Sequence, residues 1–113
     1  MHEMALCESI RRIIEDQAQA QAFERVERVT LEVGPFSGVE IEALRFGFDV
    51  AMAGSPAAAA KLDIIVQEGR GWCLPCGQDV AIAQRFDACP NCGSHQVHVT
   101  AGEALRIREL EVV

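Results

Sequence analysis

The chain has 113 residues, half of them hydrophobic, which suits one compact domain with a small metal-stapled module attached. With five Phe, one Trp and no Tyr, its core must rest on Val, Ile, Leu and Ala. The formal charge of −7 repels a phosphate backbone and the ten Lys and Arg are scattered, which argues against a nucleic-acid partner.

The start, Met1-His2-Glu3-Met4, has no basic stretch leading into an apolar one. No apolar run approaches the ~20 residues that span a bilayer. The expectation is a soluble, cytoplasmic protein with no membrane partner. Residues 3–22 have helical spacing, with Leu6, Ile10, Ile13, Ile14 and Gln17 on one face. The period then changes. Across 25–33, Val29, Leu31 and Val33 alternate with Arg28, Thr30 and Glu32, the pattern of a half-buried strand. Gly34-Pro35-Phe36-Ser37-Gly38 is a turn cluster.

A second helix is predicted over 40–53, burying Ile41, Leu44, Phe48 and Met52, and Gly54-Ser55-Pro56 stops it. A second strand is predicted over 61–67, with Leu62, Ile64 and Val66 on one side. Gly69-Arg70-Gly71 reads as a hinge. Residues 72–98 hold four cysteines and no regular amphipathic segment. Residues 105–113 read as a third strand whose alternation breaks near Glu109, the place for a bulge.

The order implies an α+β fold. It is a small three-stranded mixed sheet with two helices, since a strand-helix-strand unit pairs its strands in parallel, plus an inserted zinc-ribbon-like module. The expected division is an α/β domain from 1–69 and 100–113 and a metal module at 70–99. A module inserted on glycines permits either a monomer or a swapped homodimer.

Cys73-Leu-Pro-Cys76-Gly77 and Cys89-Pro-Asn-Cys92-Gly93 are paired C-x-x-C-G units. Two residues between thiolates let one tight turn aim both sulfurs at an ion, and two such turns complete a tetrahedron. The glycine after each pair relieves the backbone, and 78–86 can form a hairpin between them. Five Cys is an odd number, so a disulfide framework is disfavoured; in a reducing cytosol such pairs read as metal ligands. A closed four-sulfur site favours structural zinc over catalysis. A rubredoxin-like iron site uses similar spacing and remains the rival. Cys7 reads as a half-buried packing residue, with a transient thiolate ligand as the sharper reading. His95 and His98 read as surface or supporting side chains. No Ser-His-Asp, Cys-His or phosphate-loop constellation points to an enzyme.

At the N-terminus, a free α-amine, the His2 amide and its imidazole Nδ1 can close adjacent chelate rings on one cation. The Glu3 amide adds a fourth nitrogen. Amides in a helix's first turn have no intrahelical acceptor, so losing their protons breaks no ladder bond. Planar nitrogen donors suit Ni(II) or Cu(II). Glu3 also suits the positive end of the helix dipole without any metal.

Taken together, Met1-His2-Glu3 and the two knuckles resemble the HypA/HybF family of hydrogenase nickel-insertion accessory proteins. The turn Gly34-Pro35-Phe36-Ser37-Gly38-Val39 is similar to that family's, as are Glu42–Phe48, the second knuckle through Ser94, and Gly102–Ile107. The resemblance implies Ni(II) bound by Met1, His2 and Glu3, and Zn(II) bound by Cys73, Cys76, Cys89 and Cys92. It implies nickel delivery to the [NiFe]-hydrogenase large-subunit precursor, in company with a nickel-handling GTPase, and in some members to urease maturation. The rival from another class is a zinc-ribbon protein-interaction module without a nickel role.

Overall fold

The structure, a computed structural model, describes residues 3–113. The elements are α1 (Glu3–Gln21), β1 (Val26–Val33), α2 (Ile41–Met52), β2 (Lys61–Val66), β3 (Arg70–Cys73), β4 (Gln78–Ala81), β5 (Val97–Ala101) and β6 (Leu105–Val112). They form two three-stranded sheets, ordered β2-β1-β6 and β4-β3-β5. Contacts divide the chain into two compact units. One comprises 1–31, 39–64 and 107–113, the other 32–38 and 65–106.

The first sheet is mixed. The Val26 N–H donates to the Pro56 carbonyl (2.9 Å) and the Gln67 N–H to the Val33 carbonyl (2.8 Å), so β1 and β2 run the same way. The Val113 N–H donates to the Arg25 carbonyl (3.0 Å) and the Gly34 N–H to the Ala104 carbonyl (2.8 Å), so β6 runs against β1. The expected three-stranded mixed sheet with two helices is borne out. Thr30, expected on the outer face, is buried, because β1 is the central strand. Val66, expected beside Leu62 and Ile64, is 60% exposed at the end of β2. β6 continues through Glu109, yet its half-buried residues are Leu105, Ile107 and then Leu110, so the alternation shifts by one there.

The core of the first unit brings Cys7, Ile10 and Ile14 of α1 together with Leu44, Phe48 and Met52 of α2 and Val26, Val29 and Leu31 of β1. The buried stripe of α1 is therefore Cys7, Ile10 and Ile14, and Ile13 is left 48% exposed. Gly47 explains the shift. A Cβ there would lie 3.3 Å from the Cys7 Sγ, so the glycine leaves room for the thiol against α2. The thiol donates to the Leu44 carbonyl at 3.6 Å. Both ends of α2 are tied. The Glu40 carboxylate accepts from the Glu42 and Ala43 amides at the N-terminus. The Arg11 Nη1 donates to the Ala51 and Ala53 carbonyls at the C-terminus, each at 2.9 Å.

The second unit has a smaller core of Phe36, Cys73, Val80, Ile82 and Cys89, with Cys76, Val97 and Val99 packed against it. Its hairpin is not the one expected over 78–86. It runs from Arg70↔Ala81 to Cys73↔Gln78, across the first knuckle, because the knuckle itself supplies the turn. β5 adds to the other side of β3, pairing Trp72 with His98 and Cys73 with Val97. The turn at 34–38 meets the segment at 102–104. The Phe36 N–H donates to the Gly102 carbonyl at 2.7 Å, and a Cβ at Gly34 would stand 2.0 Å from that carbonyl oxygen. Arg85 lies over the Phe36 ring, 5.5 Å from its centre, and its Nη2 donates to the Phe36 carbonyl (3.1 Å) and the Glu103 carboxylate (2.6 Å).

Gly69 and Gly71 are packed inside this unit and do not form a free hinge. A Cβ on Gly69 would lie 2.4 Å from the Phe36 Cζ and 2.5 Å from the Ile82 carbonyl oxygen; on Gly71 it would lie 2.5 Å from the Val97 Cγ1. Gly69→Ala should therefore lower the stability of the metal-loaded protein by about 1–3 kcal/mol, the cost of overpacking against backbone. Chemical denaturation measures it. A mobile linker would instead give no change or a small gain from a stiffer unfolded chain.

Candidate metal centre

The paired knuckles are built alike. Cys73 ends β3 and Cys76 sits in the turn before β4. The Gly77 N–H closes this turn on the Cys73 carbonyl (2.9 Å), and the Gly93 N–H closes the second on the Cys89 carbonyl (2.8 Å). Gly77 and Gly93 have φ of +62° and +78°, a region where a side chain is strained, which is why glycine follows each pair. Two further bonds hold the knuckles in place: Leu74 N–H to the Gln96 carbonyl (3.0 Å) and Cys89 N–H to the Ser94 carbonyl (2.7 Å).

The four sulfurs of Cys73, Cys76, Cys89 and Cys92 all lie within 4.8 Å of one another. Cys73 and Cys92 Sγ are 3.5 Å apart, and Cys76 and Cys89 Sγ are 3.9 Å apart. A tetrahedron with Zn–S of ~2.3 Å has edges of roughly 3.8 Å. The observed separations fall on either side of that length, so the donor set fits a tetrahedral thiolate ion. Cys73 and Cys89 are buried, Cys76 is half-buried and Cys92 is exposed. The sequence reading missed Asn91, although it stands inside the second knuckle. Its backbone N–H donates to the Cys89 Sγ (3.4 Å) and its Nδ2 to the Cys76 Sγ (3.5 Å). Such donors orient the ligands and stabilise their charge.

The electrostatics of the thiols are divided. The Cys92 N–H, followed by the Asn91 N–H, brings Cys89 down to about 7 against the cost of its burial. Cys73 receives a lowering contact from the Cys76 N–H, yet burial and the three neighbouring thiols push it up to about 12. Cys76 is also raised, chiefly by Cys92. Four thiolates cannot gather at this spacing without a cation to offset their repulsion.

The other candidates are placed as follows. Met1 and His2 lie outside the described residues. Glu3 opens α1, and its Oε2 accepts the Glu40 N–H at 3.2 Å, so its carboxylate is engaged at the start of α2. No local pattern announces this contact, since Glu40 is 37 positions away. Cys7 is buried more deeply than the half-buried reading expected, and its thiol is raised by burial, with Glu3 and Glu8 adding to the effect. His95 and His98 are exposed, and His95 Nδ1 lies 3.2 Å from the Phe86 carbonyl. Among the described residues no helix is long and apolar enough to cross a membrane.

A family model described as "Hydrogenase/urease nickel incorporation, metallochaperone, hypA" matches residues 1–112. The chain belongs to the HypA family. The hydrogenase maturation factor HypA of Azotobacter chroococcum mcd 1 is 54% identical over 112 residues, covering 99% of both chains. That of Acidithiobacillus ferrooxidans is 53% identical with the same coverage. Among solved structures, the Ni metallochaperone HypA from Helicobacter pylori is similar with a TM-score of 0.73 and 25% identity, covering 100% of this chain and 98% of that one. The α+β fold with an added four-cysteine module is thus that of HypA structures. Hydrogenase maturation and nickel incorporation are the family's function.

Because Cys73 and Cys76 hold their protons at neutral pH, loading the site must release them. Calorimetry of Zn(II) binding at pH 7 in buffers of different ionisation enthalpy should show at least about two protons released per ion, and affinity should rise with pH. Release of fewer than about two protons would contradict this description of the thiols.

Proposed function

We propose that the chain is a nickel metallochaperone that binds Ni(II) through Met1, His2 and Glu3 and delivers it for maturation of [NiFe]-hydrogenase. In this reading Cys73, Cys76, Cys89 and Cys92 hold Zn(II) as a structural ion. The functional division is a nickel domain of 1–69 and 100–113 and a zinc module of 70–99. The partners are the hydrogenase large-subunit precursor and a nickel-accessory GTPase, and the compartment is the cytoplasm. The protein has no catalytic activity of its own: nickel is cargo, passed on by ligand exchange.

The observation that carries this reading is the family match that begins at residue 1 and continues through both knuckles. Local chemistry supports it. Glu3 stands in the first turn of α1, where backbone amides have no intrahelical acceptor. Its Oε2 accepts the Glu40 N–H, which fixes the side chain beside the start of α2 and keeps a carboxylate near the proposed ion. The α-amine of Met1 has a reference pKa of ~7.7–8.0, so a metal displaces its proton near neutrality. Nitrogen donors and an open end suit an ion that must leave again, whereas a closed thiolate tetrahedron suits one that stays.

Ni(II) titration of the native protein, of His2→Ala and of a variant extended by two residues before Met1 tests this. The native protein should bind one ion, and both variants should lose affinity by at least about a hundredfold while retaining their zinc. Equal nickel binding by all three would leave the zinc-module reading as the better one.

A further inference from the structure

The fold leaves one side of α2 uncovered. The helix buries Leu44, Gly47, Phe48, Ala51 and Met52. At 100° per residue, Glu42, Phe46, Asp49 and Val50 fall on the opposite side. Phe46 is 71% exposed and Val50 51%. These two stand one turn apart, where they form a continuous apolar step. A phenylalanine here adds nothing to the core and is a poorer helix former than Ala, Glu or Lys. Grouped exposed apolar residues of this kind mark contact sites.

The apolar surface continues onto α1. Gly47, flanked along α2 by Phe46 and Val50, faces the first turn of α1, and a Cβ on it would lie 3.8 Å from the Met4 Cα. Met4 is 37% exposed. The glycine is buried in this close helix contact, which sets Met4 of α1 beside the α2 turn that carries Phe46 and Val50. Glu40 and Arg11 tie the two ends of α2, and the Arg45 Nη1 donates to the Leu62 carbonyl at 3.0 Å.

The rim of this face is acidic. Glu8, one turn beyond Met4 on α1, and Glu42 and Asp49 on α2 are all exposed. Of the nearby guanidinium groups, Arg11 and Arg45 are bound to backbone carbonyls, and Arg12, one turn beyond Glu8, sets a single exposed cation against three carboxylates. A second copy would bring the same carboxylates face to face, and each copy carries a net charge of −7. The charge pattern calls for the opposite sign.

We propose that this face docks a basic amphipathic helix of a partner protein. Two apolar residues one turn apart on that helix would seat on Met4, Phe46 and Val50. Lys or Arg side chains beside them would meet Glu8, Glu42 and Asp49. What such a contact is for rests on the delivery reading above, because it would hold a partner beside the start of α1. The contact itself rests on the patch alone.

The test uses zinc-loaded full-length protein and a fluorescein-labelled synthetic helix of about five turns, with Leu at i, i+3/i+4 and i+7 and Lys on both flanks. A control peptide carries Glu for Lys. Anisotropy at low ionic strength should show saturable binding of the Lys peptide and none of the Glu peptide. Phe46→Ser and the pair E42K and D49K should each weaken binding by at least about tenfold, with zinc content and circular dichroism unchanged. No saturable binding, or equal binding by Phe46→Ser, overturns the proposal. A dimer in sedimentation that Phe46→Ser abolishes overturns it in favour of a second copy. Peptide binding by a protein that fails the nickel titration would sink the delivery reading and leave the docking surface standing.

Discussion

Convergence of four sulfurs on a single point is the constraint from which the second unit follows. Among the described residues its buried core holds Phe36, Val80 and Ile82 besides cysteine, with Val97 and Val99 half-buried against it. A core this small is the kind that needs a metal staple, and an ion held by four thiolates supplies one. The features around it fit that constraint: glycines at positive φ after each pair, Asn91 donating to two sulfurs, and backbone so close at Gly34 and Gly69 that no Cβ fits.

The first unit has a different basis. Its two helices and sheet bury a conventional aliphatic core, and Gly47 lets α2 approach α1 at Cys7. The same approach brings Glu40 to Glu3 and so anchors the first turn of α1 to the first turn of α2. In the proposed division of labour this is where the cargo is held. An ion bound by nitrogen at an open end exchanges its ligands readily when a partner offers better ones. Four thiolates enclosed by their own turns do not. In that proposal the two sites differ in softness, closure and position, differences that would let one small chain keep one metal and pass on another.

Much of this was legible in the residues. The helices and the strands of the mixed sheet declared themselves by their periods, and the C-x-x-C-G pairs by their spacing. What escaped depends on contacts between distant residues. The stripe of α1 was expected through Leu6, Ile10, Ile13, Ile14 and Gln17, and only Gly47, forty positions beyond Cys7, makes room for that thiol among the buried residues. The short strands β3, β4 and β5 carry four or five residues each, too few to show a period. The hairpin was misplaced because a knuckle was read only as a ligand turn, when it is also the turn between β3 and β4. Gly69 and Gly71 looked like a hinge because sequence cannot separate a glycine that must move from one that must be thin. The exposed Phe46 and Val50 were hidden by the strength of the buried pattern on the same helix.

The central claim is that the two metals occupy chemically separate sites. Protein loaded with one equivalent each of Zn(II) and Ni(II) puts this to the test by X-ray absorption at both edges. The account predicts four sulfur neighbours at ~2.3 Å around zinc and only nitrogen and oxygen around nickel. Sulfur in the nickel shell, with zinc displaced into solution, would contradict it.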